Sequence, residues 1–351
     1  MSNARKLADN LPTEGQLGNR NFIINGDMKI FQRATAATAV ANNYTTADRW
    51  KAWNDSTYGG AMTTEKSTDV PSGQGFSNSL KFQCSTASTS TAAAEYAQFN
   101  QPIEAQNCQA FAYGTSGAKT LTLSFWCKSN KTGVYTVAFR KDDSTTYIIP
   151  IEYTISSADT WEKKTITVSP TAGNTTLITN SGGAIANDNG SGLEVYWNLL
   201  LGSNYTGGTS GTWSTNASHY STTNAVNWLD NTANNFYITG VQLEVGDKAT
   251  PFEHEPYSVS LAKAQRYYQL SHTNGQGYVN ANQHVGVRGT YRTEMRVAPT
   301  VTLTLNSSNE NNMSGSPAVH INGTHGYYGY FTANNAGNYY YYYNGVSDAE
   351  L

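Results

Sequence analysis

The segment Leu121-Thr122-Leu123-Ser124-Phe125 alternates apolar and polar residues, so in a strand it places its apolar side chains on one face. Short runs of this kind recur through the first two thirds of the chain and constrain its fold more than any other feature. Phe22–Ile24, Lys29–Gln32, Leu80–Gln83, Thr120–Cys127, Tyr135–Arg140, Tyr147–Tyr153, Lys163–Val168, Leu193–Leu201 and Asn235–Leu243 all read as strands. Polar turn signals separate them, among them Asn130-Lys131-Thr132-Gly133, Asp142-Asp143-Ser144 and Gly207-Gly208. The expected fold class is all-β: a jelly-roll β-sandwich followed by a short helix and a smaller C-terminal β tip domain. A chain of 351 residues exceeds what one hydrophobic core usually supports, so two domains are expected.

Charged residues make up 13% of the chain, about half the share in an ordinary soluble domain. Net charge is -3, with no basic stripe to release counterions from a nucleic acid and no polybasic patch for a membrane surface. No apolar stretch approaches the roughly 18 residues of a membrane span, so no membrane insertion is expected. Arg5 and Lys6 are not followed by an apolar core, so residues 1–20 do not read as a secretory signal, and synthesis in a cytoplasm is expected. Disorder is excluded by 24 Tyr, 11 Phe and 7 Trp, too many for a chain that buries no core. Cys84, Cys108 and Cys127 are odd in number, which rules out a full disulfide framework or a four-thiolate zinc site; buried free thiols are expected.

Four segments follow along the chain. In residues 1–20, Leu7 and Leu11 stand one helical turn apart before Pro12, in a piece too short to be a stable helix alone. This segment is expected to anchor the protein on a larger assembly. Residues 21–257 form the jelly-roll body. Residues 258–268 form a connecting helix, with Ser258 as N-cap and Leu261, Ala264 and Tyr268 along one face. Residues 269–351 form the β tip.

The strings GNRNFIINGDMKIFQR (18–33), YTTADRW (44–50), KTLTLSFWCKSNKTGVYTV (119–137) and GVQLEVGDKATPFEHEPYSVSLAKAQRYY (240–268) resemble tail-fibre and appendage proteins of tailed bacteriophages, particularly marine and cyanobacterial ones. RVAPTVTL (296–303) and the final SDAEL extend the resemblance more thinly. It implies a body similar to a carbohydrate-binding module. It also implies a virion location on head or tail and a homotrimer with the helix at its three-fold seam. The partners implied are other virion proteins, through the N-terminal segment, and a host surface glycan.

Catalytic signatures are absent: there is no HExxH, no GxSxG, no phosphate-binding loop and no EF-hand loop. Six histidines include no i,i+4 helical pair, so no metal ligands and no cofactor are assigned. Jelly-roll modules often hold a structural calcium, and with no stretch here that fixes one the sequence leaves calcium open. The carboxylate pairs Asp142/Asp143 and Glu253/Glu255 are those on offer for glycoside hydrolysis, but the first reads as a hairpin turn and the second as a connector. Glu244 reads as a structural acceptor or an exposed charge. The chain is therefore expected not to be an enzyme. A decoration or connector protein without a receptor is the alternative, and a polysaccharide depolymerase the third reading.

Binding chemistry is present in the aromatic residues. Tyr327, Tyr328 and Tyr330 precede Asn338 and the run Tyr339, Tyr340, Tyr341, Tyr342 and Tyr343. Period two sends two or three of these five outward in either register. Tyrosine among Asn and Gly suits sugar recognition, and it suits subunit packing equally. In the body, Trp53, Tyr58, Tyr205, Trp213, Tyr220 and Trp228 lie in polar stretches and are candidate sugar contacts, whereas Trp50, Trp126 and Trp197 read as core.

Overall fold

The computed structural model describes residues 18–351 apart from 39, 41, 306–310 and 313–316. The anchor expected at Leu7 and Leu11 lies outside the described residues. Two compact units divide the chain, the first ending at Glu255 and the second running Pro256–Glu350.

The first unit is a jelly-roll β-sandwich of two six-stranded antiparallel sheets. One sheet contains β1 (Ala36–Ala37), β4 (Ala61–Ser67), β5 (Ser79–Thr86), β12 (Asn235–Val245), β7 (Leu121–Ser129) and β10 (Glu162–Val168), in that spatial order. The other contains β2 (Asn43–Tyr44), β3 (Lys51–Asn54), β6 (Tyr96–Glu104), β11 (Ser191–Leu201), β8 (Gly133–Lys141) and β9 (Tyr147–Ile155). Their inner faces interdigitate through rings. Phe82 of the first sheet stacks on Phe99 of the second at 4.4 Å, and Phe99 lies parallel to Trp197 at 5.5 Å. Trp50 and Phe125 close on Trp197 from 5.4 and 5.7 Å. Trp197 has no exposed surface.

Two expected strands are turns instead. Phe22–Ile24 and Lys29–Gln32 flank Asn25, a buried residue with φ +58° whose side chain accepts from the amides of Lys29 and Ile30, both at 2.9 Å. Its amide group donates to the carbonyls of Ile30 and Asp48, so this one side chain supplies the bonds that a neighbouring strand would have made. All three cysteines are buried and free. Burial pushes the Cys84 thiol up to about 11 and Cys127 to about 12, so neither forms a thiolate readily.

The helix α1 spans Tyr257–Gln265, starting one residue before and ending three before the expected 258–268. Ser258 is not its cap. Pro256 holds the cap position at φ -55° and ψ 144°, and its carbonyl accepts from Val259 and Ser260. Of the expected apolar face Ala264 is buried in the helix, Leu261 is half-buried, and Tyr268 already opens a strand.

The second unit packs two three-stranded sheets over one core. β13 (Tyr268–Val279), β18 (Gly337–Asp348) and β15 (Thr300–Leu305) form the first, in that order; β14 (His284–Thr290), β17 (Gly326–Thr332) and β16 (Ala318–Asn322) form the second. Val285, Val287, Leu303, Tyr327, Phe331 and Tyr343 fill the space between. Glycines lie opposite two of the inward tyrosines. Gly275 faces Tyr341 and Gly289 faces Tyr327, and a Cβ at either position would meet the ring at 2.7 or 2.3 Å. The missing side chains let large rings lie flat on the neighbouring strand.

Trp197→Ala is expected to lower stability by about 3–5 kcal/mol, read as a lower urea midpoint, because it removes the ring at which both sheets meet. An unchanged midpoint would refute that role.

Candidate functional site

The pairing register defines the outer face of the second sheet row by row. Lys51, Asn100, Tyr196, Ala138 and Pro150 form one row; Trp53, Gln98, Asn198, Thr136 and Glu152 form the next. Residues 202–224 fold over the β8–β9 half of this face. Ile148 and Ser214 exchange backbone bonds of 3.0 and 2.8 Å, Asn198 donates to the Tyr220 carbonyl at 2.7 Å, and Thr222 Oγ1 donates to Glu152 at 2.5 Å. The β3–β6–β11 half stays uncovered as a cleft of about 230 Å³, lined by Trp53, Tyr96, Gln98, Arg140, Tyr196, Leu201, Tyr205 and Tyr220.

Aromatic rings form most of this lining. Tyr196 and Tyr220 meet edge to face at 5.0 Å, Tyr205 stands 6.3 Å from Tyr220, and Tyr96 stands 6.1 Å from Tyr205. Trp53 is fixed by its indole N–H, which donates to Asn100 Oδ1 at 2.8 Å, and Lys51 Nζ lies 4.0 Å from its ring centroid. Gln98 is 8% exposed and its Oε1 has no hydrogen-bond partner among the described residues. A buried acceptor beside an aromatic cleft is a group that a ligand hydroxyl or a bound water can satisfy.

Charge at the cleft edge is balanced internally. Arg140 pairs with Asp142 at 2.7 Å and Glu194 at 3.6 Å, and the Tyr196 hydroxyl donates to Glu194. Burial, and then the neighbouring Glu194 charge, push Asp142 up to about 6 despite Arg140.

Sequence candidates divide sharply in this structure. Trp53, Tyr205 and Tyr220 come together in the cleft. Trp213 and Trp228 do not: they are 2% and 0% exposed, and their indole N–H groups donate to the carbonyls of Ser169 and Asn235. Both are core residues, which corrects their reading as sugar contacts; a polar sequence neighbourhood does not prevent burial when the backbone accepts the N–H. Trp126, read as core, is half-buried and lines a cavity on the other sheet. Tyr96, Gln98, Arg140 and Tyr196 were not singled out by sequence, because they sit inside strands and resemble core or edge residues there.

The tip tyrosines also divide. Tyr327, Tyr341 and Tyr343 are buried between the sheets, which corrects these three as surface contacts; Tyr339 is half-buried and packs against them. Tyr340 and Tyr342 point outward from β18, with Tyr340 44% exposed, and Asn338 is exposed beside them. Tyr328 and Tyr330 point outward from β17, where Arg288 covers Tyr328 and the rings of His284 and His320 flank Tyr330 at 4.0 and 4.1 Å. The outward tyrosines therefore belong to opposite faces of the small sandwich and do not form one platform.

The carboxylate pairs have structural partners. Glu253 accepts the backbone amides of Asn19, Arg20 and Asn21, and Asp143 accepts that of Ala186. Glu244 is a buried acceptor for Thr250 N, Thr250 Oγ1 and Gln242 Nε2 at 2.8–2.9 Å. Among the described residues no group of three or more His, Cys, Asp or Glu side chains is placed to hold a metal ion, and no helix is long and apolar enough to cross a membrane.

No protein-family model matches the chain, and no curated protein matches it. Among solved structures, a protein from Bacteroides thetaiotaomicron described as sugar-binding is 14% identical, over 64% of this chain and all of its own, with a TM-score of 0.36. The family 11 carbohydrate-binding module of a cellulosomal cellulase from Clostridium thermocellum is 11% identical over 62% of this chain and all of its own, at 0.29. The enzymatically active domain of tailspike protein 4 from bacteriophage CBA120 is 13% identical over 64% of this chain and 21% of its own, at 0.30. Likeness at this level speaks to neither ligand nor activity.

The raised Asp142 carboxyl makes a signed expectation. Its folded value lies above its unfolded one, so its contribution to stability falls as pH rises from about 4 to about 6. Asp142→Asn is expected to match the parent at pH 4 and exceed it at pH 8 by about 1 kcal/mol, after discounting for its partial exposure. Equal thermal midpoints at both pH values would contradict this.

Proposed function

We propose that the chain binds a surface glycan non-covalently in the cleft on the second sheet. The observation that carries this reading is the convergence of Trp53, Tyr96, Tyr196, Tyr205 and Tyr220 around the unpartnered Gln98. Ring faces stack on the C–H patches of a pyranose, while the tyrosine hydroxyls and the Gln98 amide read its hydroxyls. Because Arg140 is already neutralised by Asp142 and Glu194, the cleft suits an uncharged sugar.

We read the site as binding without hydrolysis, because the chain carries none of the catalytic signatures sought in its sequence. We read the protein as a homotrimeric virion appendage of a tailed phage, on the strength of the sequence resemblance given above. Three weak sites per fibre then add to durable attachment to the host. Light scattering that returned a monomer near 38.1 kDa would count against the trimer.

Labelled full-length protein applied to candidate host cells tests the reading. Trp53→Ala and Tyr205→Ala are each expected to weaken binding about tenfold, the cost of one truncated aromatic contact, with thermal midpoints unchanged. Tyr340→Ala with Tyr342→Ala is expected to leave binding intact. Loss of binding in the tip variant alone would move the receptor site to the second unit.

A further inference from the structure

A second cavity of about 510 Å³ opens on the outer face of the first sheet, on the far side of the sandwich core from the cleft. Its floor is built by a bulge. Thr239 pairs with Trp126 and Gln242 with Ser124, so Gly240 and Val241 together stand opposite Phe125. Gly240 has φ +61°, and a Cβ there would meet Phe76 at 2.5 Å and Trp126 at 3.1 Å. Only glycine lets both rings approach the strand, and bulges of this kind commonly re-aim side chains beside binding sites. Phe76, Phe252 and His254 form a ring cluster at the other wall, with centroids 4.9–5.3 Å apart.

Three donors line this cavity: the Ser124 hydroxyl, the Trp126 indole N–H and the Lys163 ammonium. Ser124 is 3% exposed. Trp126, two residues along the same strand, is half-buried. Lys163 stands directly opposite Trp126 on β10, where facing Cβ atoms are about 5 Å apart, and its side chain is exposed at the cavity mouth. The neighbouring acids are engaged elsewhere: Glu162 with Lys164 and the amides of Ser156 and Ser157, Asp69 with Lys128 and Trp161. Glu244 is committed to Thr250 and Gln242.

We infer that this cavity is a second saccharide site, selective for an acidic sugar of the uronic-acid type. Its carboxylate meets Lys163, its ring face lies on Trp126, and its hydroxyls take the Ser124 and indole donors. A cavity lined by donors suits a ligand rich in acceptors, and a carboxylate against a single ammonium supplies a charge-assisted bond. The cleft on the other sheet, with its arginine neutralised, lacks that free cation, so the two faces differ in the sugars they take.

The test follows the indole N–H resonance of Trp126 in the full chain, identified by its disappearance in Trp126→Phe. D-glucuronate, D-glucose and acetate are titrated at matched ionic strength. Glucuronate is expected to shift the resonance saturably, while glucose and acetate at equal concentration leave it in place. Lys163→Gln is expected to weaken the glucuronate response about tenfold or more, Lys163→Arg to keep most of it, and Trp53→Ala to leave it unchanged. A resonance that glucuronate does not move would overturn the site. So would an equal response to acetate, or full affinity in Lys163→Gln. Because Trp53→Ala disables only the cleft, failure here and failure of the cleft reading give different results.

Discussion

The hydrogen bonds that hold residues 202–224 on the second sheet decide what the molecule can do. Asn198 donates to the Tyr220 carbonyl and to Thr136 Oγ1, and Thr136 Oγ1 meets Ser221 Oγ at 2.8 Å. Without this polar clasp the outer face would be a flat, half-wetted sheet. With it, Tyr205 and Tyr220 are brought over Tyr196 and Trp53, and one half of the face becomes a walled cleft. The aromatic core beneath, centred on Trp197, supplies the rigid floor that the clasp requires.

The two outer faces have opposite electrostatic character built from similar parts. Each carries half-buried rings on a strand floor, and each includes a basic residue. On the second sheet the arginine is neutralised by two carboxylates, one of them held partly protonated near pH 6 by burial. On the first sheet the corresponding cation, Lys163, stands beside Trp126 without a counter-charge among the described residues. The same sandwich can therefore offer a neutral and a cationic surface, because outward positions in a strand are free of the packing that constrains inward ones.

Much of the fold was legible because the core is made by alternation. β7 through β12 appear where period two places them, within a few residues at each end. β6 was missed because Gln98, Asn100 and Gln101 interrupt its apolar run, although all of its residues but Tyr96 are buried. The site was only partly legible. Sequence identified Trp53, Tyr205 and Tyr220 as loop or edge aromatics, but their convergence joins Trp53 to residues more than 150 positions further along the chain. It could not separate them from Trp213 and Trp228, whose N–H groups are satisfied by backbone carbonyls inside the core. In the tyrosine run, alternation of faces was readable, and the register was not; pairing with β13, where Gly275 faces Tyr341 and Thr273 faces Tyr343, turns both rings inward.

Glycan recognition by the cleft is tested most directly by a crystal structure of the full chain with the neutral oligosaccharide it binds most tightly on a glycan array. A sugar ring stacked on Trp53, Tyr205 or Tyr220, with a hydroxyl at Gln98, is the expected result. An oligosaccharide seated on the tip tyrosines, or an array on which no neutral glycan binds, would contradict it.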